Sequence, residues 1–137
     1  VISYLRATRT ALDYRAEFDA VIQSKAVGWV FRAQDPYNYH AAKVEMLKDN
    51  TAATLTRFVM VGGIESQHHY TKILRPIRPG TKFKVTMDIR GNEFTVSING
   101  EMVEVWQDTR IRTGGFGLLT EKSERAVVDQ VKVSEWR

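Results

Sequence analysis

The sequence predicts an all-β fold: a sandwich of two antiparallel sheets, about ten strands and no substantial helix. Three observations carry that prediction. Apolar residues recur at every second position through most of the chain. Clusters of Gly, Asn, Asp and Pro interrupt the alternation roughly every eight to twelve residues. No stretch carries an apolar stripe at helical spacing, and the only helical candidate is a single turn near residues 108–112.

Residues 27–46 make the clearest pair of strands. Trp29 and Phe31 point one way, Val30 and Arg32 the other, and Lys43 and Glu45 then alternate against Ala42, Val44 and Met46. Gln34-Asp35-Pro36-Tyr37-Asn38 supplies the turn. Before this pair, residues 1–7 read as a short strand. Residues 14–22 alternate, with Tyr14, Ala16, Phe18, Ala20 and Ile22 on one face. After it come a turn cluster at 48–51, a strand over 55–61 and the closing Gly62-Gly63. Residues 65–80 read as a long loop with one short edge strand around Ile73. Residues 82–90, 94–98 and 102–106 form a meander, its last turn marked by Asn99-Gly100. Strands over 116–120 and 126–136 complete the chain. Phe18, Phe31, Phe58, Phe83 and Phe94 are expected between the sheets, Trp29 in the core, and Trp106 half exposed.

At 137 residues the chain fits one domain, 1–137, with a sizeable core. Hydrophobic residues at 43% and charged residues at 26% exclude a disordered chain. The absence of cysteine excludes disulfides and thiolate metal sites. A net charge of +4 is too mild to imply nucleic acid as a partner. No apolar run approaches the roughly 18 residues that span a bilayer. The chain begins at Val1 without a targeting segment, which reads as a processed chain or a domain of something longer, expected outside the cell or in the periplasm.

Gly28-Trp29-Val30-Phe31-Arg32 followed by Asp35-Pro36-x-Asn38-Tyr39 resembles the concanavalin A-like jelly-roll superfamily, most of all its laminin-G-like bacterial members. The strand at 83–89, the hairpin ending in Asn99-Gly100 and Gly114-Gly115-Phe116-Gly117-Leu118 fit the same pattern. The resemblance covers nearly the whole chain and implies a jelly roll. Many relatives bind sugars on the concave sheet or its rim loops, and others are accessory modules of larger proteins. The glycoside hydrolase branch carries E-x-D-x-E or E-x-D-x-x-E on one strand. Here Glu17 and Asp19 begin that pattern, but Val21 and Ile22 occupy the two possible third positions. The resemblance therefore implies no hydrolysis.

With a simple register, Arg15, Glu17, Asp19, Arg32, Lys43, Glu45 and Arg57 share one side of neighbouring strands. Two readings stand. Glu17 and Asp19 form cross-strand ion pairs with Arg32, Lys43 or Arg57 in a solvated ladder, or the charges form a sugar-binding face. Tyr37 and Tyr39 are stacking platforms or covers of the sheet edge. Asp35 and Asn38 suit an ordinary Asx turn, and also resemble calcium-holding rim loops of relatives. No cofactor is expected, with calcium the alternative at those two residues. His68 and His69 face opposite ways on a strand, so a shared zinc is not expected.

Between Glu65 and Asp88 every charge is basic: Lys72, Arg75, Arg78, Lys82 and Lys84. That stretch is a solvated loop or a surface for an anionic polymer such as an acidic polysaccharide. The sequence thus points to a non-catalytic module that binds carbohydrate. The candidate residues are Arg32, Asp35, Tyr37, Asn38, Tyr39, Lys43, Glu45 and Arg57. The alternative is a structural module that contacts itself or neighbouring domains of a parent protein through sheet edges or the basic loop.

Overall fold

The computed structural model describes residues 2–4, 12–48 and 52–136. Twelve strands follow in chain order: β1 (Ile2–Tyr4), β2 (Tyr14–Ser24), β3 (Ala26–Asp35), β4 (Asn38–Met46), β5 (Ala53–Val61), β6 (Ile64–Glu65), β7 (His69–Ile73), β8 (Lys82–Arg90), β9 (Glu93–Ile98), β10 (Glu101–Gln107), β11 (Gly115–Leu119) and β12 (Arg125–Glu135). Of the expected strand over 1–7, residues 2–4 form β1, while residues 1 and 5–7, and residues 49–51 of the predicted turn cluster, lie outside the described residues. A seven-stranded antiparallel sheet runs β1-β11-β3-β4-β5-β6, with β7 on the same edge of β5 as β6. A five-stranded antiparallel sheet runs β10-β9-β8-β2-β12. There is no helix among the described residues. The predicted helical turn at 108–112 is instead an Asx turn, in which Asp108 Oδ1 accepts the Arg110 N–H at 2.8 Å.

Alternation builds the core. Tyr14, Ala16, Phe18, Ala20 and Ile22 of β2 are all buried, as are Phe83, Val85, Met87 and Ile89 of β8. They meet Val27, Trp29 and Phe31 of β3 and Ala42 and Val44 of β4. Phe18 and Trp29 stand edge to face across the sheets at 5.5 Å, and Phe31 and Phe94 at 5.0 Å. Trp106, expected half exposed, is buried: the β10 pairing that sets it opposite Phe94 turns it inward against Phe31.

Phe58 departs from the expected core. It belongs to a second apolar cluster with Val30, Tyr39, Ala41 and Leu119 on the outer face of the seven-stranded sheet. Arg57 takes the inward side of β5 instead. Its guanidinium lies over the Trp106 ring at 4.7 Å and pairs with Glu104 of β10 at 3.1 Å. That contact across the side of the sandwich satisfies an inward cation, and alternation then sends the neighbouring ring out.

Consecutive strands β2 and β3 lie in different sheets, which overturns the single charged face. Arg15, Glu17 and Asp19 project from the five-stranded sheet, and their partners are β8 residues: Arg15 pairs with Asp88 at 2.7 Å and Glu17 with Lys84 at 3.2 Å. Cross-strand ion pairing is the right kind of contact, with different partners. Arg32 is also displaced. A bulge between Phe31 and Asp35 breaks the alternation, and Arg32 takes φ 49°. Its buried side chain crosses to the other sheet, donating to the Gly91 carbonyl at 2.8 Å and reaching Asp13 at 3.4 Å.

His40, on the inward side of β4, stacks on Phe31 at 5.2 Å and against Phe94 at 4.9 Å. Burial pushes its pKa down to about 4; Asp108, 4.0 Å from Nε2, opposes this, and Arg110, Arg32 and Arg57 add to it. The unfolded chain takes up this proton near pH 6.5, while the folded chain resists until about pH 4. Stability therefore falls as pH drops through that window, by about 3 kcal/mol from His40 alone. Denaturant titrations from pH 7 to pH 4 should show this slope in the parent chain and a reduced one in His40→Phe. Equal slopes would contradict the assignment.

Candidate functional site

The outer face of the seven-stranded sheet carries Tyr39, Lys43 and Glu45 of the predicted site residues. Strand register lines up Leu119, Gly28, Lys43, Thr56 and Tyr70 in one row across β11, β3, β4, β5 and β7. At roughly 4.8 Å between neighbouring strands, Lys43 and Tyr70 stand about 10 Å apart with Thr56 between them. Lys43 lies over Gly28, where an added Cβ would sit 3.2 Å from Lys43 Cγ and 2.9 Å from the Leu119 carbonyl oxygen. A glycine here lets the lysine stem lie flat on the sheet.

The Lys43 ammonium is held between two carboxylates on the β11–β12 connection: it pairs with Glu121, and with Glu124 at 2.6 Å. Burial disfavours the charge, but the two glutamates outweigh it and raise the pKa above the ordinary lysine value. The connection is itself fixed: the Glu121 N–H donates to Glu124 Oε1 at 2.9 Å, and Ser24 Oγ donates to the Ser123 carbonyl at 3.1 Å. The Glu124 side chain is buried, whereas that of Glu121 is 47% exposed. Thr56 Oγ1 is buried without a hydrogen-bond partner among the described residues.

Aromatic rings flank this polar row. His68 stacks on Phe58 with ring centres 4.4 Å apart and planes 10° from parallel, and Glu65 Oε2 lies 3.6 Å from His68 Nε2. Tyr70 is 6.3 Å from the His68 ring and 67% exposed. Glu45, Thr54 and Lys72 form the next row on the same face. The ammonium and the carboxylates are fixed hydrogen-bonding groups, and the exposed phenol is a ring surface beside them.

Of the predicted residues, Tyr39, Lys43 and Glu45 share this face, with Tyr39 buried against Phe58. Arg32 and Arg57 do not; they point between the sheets. Tyr37 is exposed on the β3–β4 turn, beside Gly63. Asp35 and Asn38 hold that turn: Asp35 Oδ1 accepts the Tyr37 N–H at 2.8 Å and the Asn38 amide at 3.0 Å, while Asn38 Oδ1 accepts the Gly62 N–H at 2.9 Å. Among the described residues no three His, Cys, Asp or Glu gather in an arrangement able to hold a metal ion.

Thr56, Tyr70, Glu121 and Glu124 join the site without having been singled out from the sequence, and His68, weighed there only for a shared zinc, joins it as a stacking ring. The alternation His68-x-Tyr70-x-Lys72 is a readable signal for three outward side chains on one face. Glu124 reaches Lys43 across 81 positions, which local patterning cannot show.

No protein-family model and no curated protein matches the sequence. Solved structures do. Carbohydrate binding module CBM66 from Bacillus subtilis is similar with a TM-score of 0.78 and 21% identity, over 98% of this chain and 81% of that one. Galectin-Ib of Xenopus laevis is similar with a TM-score of 0.73 and 8% identity, over 98% of both chains. Sheep galectin-11, solved with glycerol, has a TM-score of 0.71 and 10% identity, over 98% of this chain and 96% of that one. Two antiparallel sheets, the inter-sheet aromatic core and these likenesses together give the chain a jelly-roll β-sandwich fold.

Proposed function

We propose that the chain is a non-catalytic carbohydrate-binding module whose ligand lies on the outer face of the seven-stranded sheet. The observation that carries this reading is the Lys43–Thr56–Tyr70 row, with Glu121 beside it. A sugar presents vicinal hydroxyls on its edge and C–H groups on its face. A carboxylate and an ammonium already fixed in place bond the hydroxyls with little ordering cost, and a tyrosine ring covers the C–H face. Module CBM66 is named for carbohydrate binding, and that similarity supports the reading.

The carboxylates are not placed for catalysis. Glu17 and Asp19 stand on the other sheet, Glu17 is paired with Lys84, and Val21 fills the position a third acid would need. Glu121 and Glu124 converge on one ammonium instead of facing each other across a ligand as an acid and a nucleophile. Asp35 and Asn38 serve the turn as hydrogen-bond acceptors, and the proposed contacts of Lys43, Glu121 and Tyr70 with the sugar call for no metal. The ligand is encountered outside the cell or in the periplasm.

A glycan array probed with the full chain tests the reading. Saturable binding to a glycan class should survive chelation by EDTA and weaken about tenfold in a folded Tyr70→Ala variant. Absence of any glycan binding, or an affinity unmoved by Tyr70→Ala, would overturn it.

A further inference from the structure

A cleft of about 550 Å³ opens along the edge of the sandwich, between β7 with the segment after it and the β9–β10 hairpin. Its size falls within the range of small-molecule sites. Ile73, Ile77 and Ile98, all buried, line it together with Val103. Leu74, 88% exposed, and Met102, 67% exposed, border it as apolar side chains without cover. The lining holds no aromatic ring among the described residues, so it lacks the surface that stacks on a pyranose. Aliphatic walls suit an aliphatic chain.

Two cations define the polar end. Arg75 spans the cleft to Glu101, with Nη2–Oε1 2.8 Å and Nε–Oε2 3.0 Å. Lys72 has no ion-pair partner among the described residues. The local charge is therefore positive, with an ammonium free to take an anion and a guanidinium shared with a single carboxylate.

We propose that this cleft is a second binding site, taking a small amphiphile with an aliphatic chain and a carboxylate head, the chain on Ile73, Ile98, Leu74 and Met102 and the head on Lys72 and Arg75. The cleft adjoins the sugar face at Lys72 of β7, and its apolar wall of Ile73, Ile98, Leu74 and Met102 lies outside that face.

The test is an amide NMR titration of the full chain with decanoate, kept below its micellisation concentration, and with decanol. Decanoate should give saturable shifts confined to residues 71–77 and 98–103, and should bind more tightly than decanol. Lys72→Gln should weaken decanoate about fivefold and leave decanol unchanged. Glu101→Gln should tighten decanoate by releasing Arg75 from its competitor, and Leu74→Ser should weaken both ligands. Decanol binding as tightly as decanoate, shifts elsewhere on the molecule, or no saturable shift would overturn the proposal. Glycan binding should be unchanged in Leu74→Ser, so failure at the cleft leaves the sugar reading standing, and loss of the sugar reading leaves the cleft testable.

Discussion

Gly114→Ala is expected to destabilise the chain by about 4 kcal/mol. An added Cβ at this position would sit 2.4 Å from the Arg32 carbonyl carbon, 2.5 Å from its oxygen and 2.6 Å from the Ala33 nitrogen. All three are backbone atoms of the β3 bulge, so no side-chain rotation relieves the clash. Gly114 also has φ 140°, which an L side chain rarely adopts. The same place joins the two sheets: the Tyr14 hydroxyl donates to the Gly114 carbonyl at 3.3 Å and accepts the Arg32 N–H at 3.1 Å. Burial raises the Tyr14 pKa to about 12, so this hydroxyl keeps its proton across neutral pH. Moving the bulge breaks that bridge as well. Urea denaturation checks the effect, and a loss below about 1 kcal/mol would show that the bulge yields freely.

Lys43→Met is the second large effect, and it reaches both stability and binding. The parent ammonium pairs with both Glu121 and the largely buried Glu124. Removing it leaves a buried carboxylate without its counter-charge beside a second one, at a cost of about 3 kcal/mol. Because the Lys43 pKa is raised, the stabilisation stands throughout neutral pH and is lost only as pH climbs through its elevated value. The double variant Lys43→Met, Glu124→Leu should regain most of the lost stability, since the stranded charge is gone. Glycan affinity should not return with it. Stability recovered together with full affinity would show that the ammonium takes no part in recognition.

The fold was legible where a strand keeps strict alternation and its turn has a mechanism. Tyr14 to Ile22 shows its buried face directly, and Asn99 and Gly100 take the positive φ angles of 51° and 82° that their side chains tolerate best. Alternation does not say which strands become neighbours. Glu17 and Lys43 look like members of one surface only while β2 is taken to pair with β3, and the chain instead crosses between sheets after Ser24. Arg32 was misplaced because a bulge ends the period-2 rule at that residue. Arg57 and Phe58 were exchanged because a partner on the other sheet, Glu104, decides which of two adjacent side chains turns inward.

The candidate site was legible in part for the same reasons. Lys43, Glu45 and Tyr39 alternate on one strand and stay together on one face. The groups that complete the surface come from β5, β7 and the β11–β12 connection. Only long-range pairing brings Thr56, Tyr70 and Glu121 beside Lys43.

Amide shift mapping with the tightest-binding glycan from the array tests the location of the sugar site most directly. The expected shifts centre on Lys43, Thr56, His68 and Tyr70, extend to Glu121, and need about tenfold more glycan in Tyr70→Ala. Shifts centred instead on the outward residues of β2 and β8, or on the Asp35–Asn38 turn alone, would contradict a binding surface on the seven-stranded sheet.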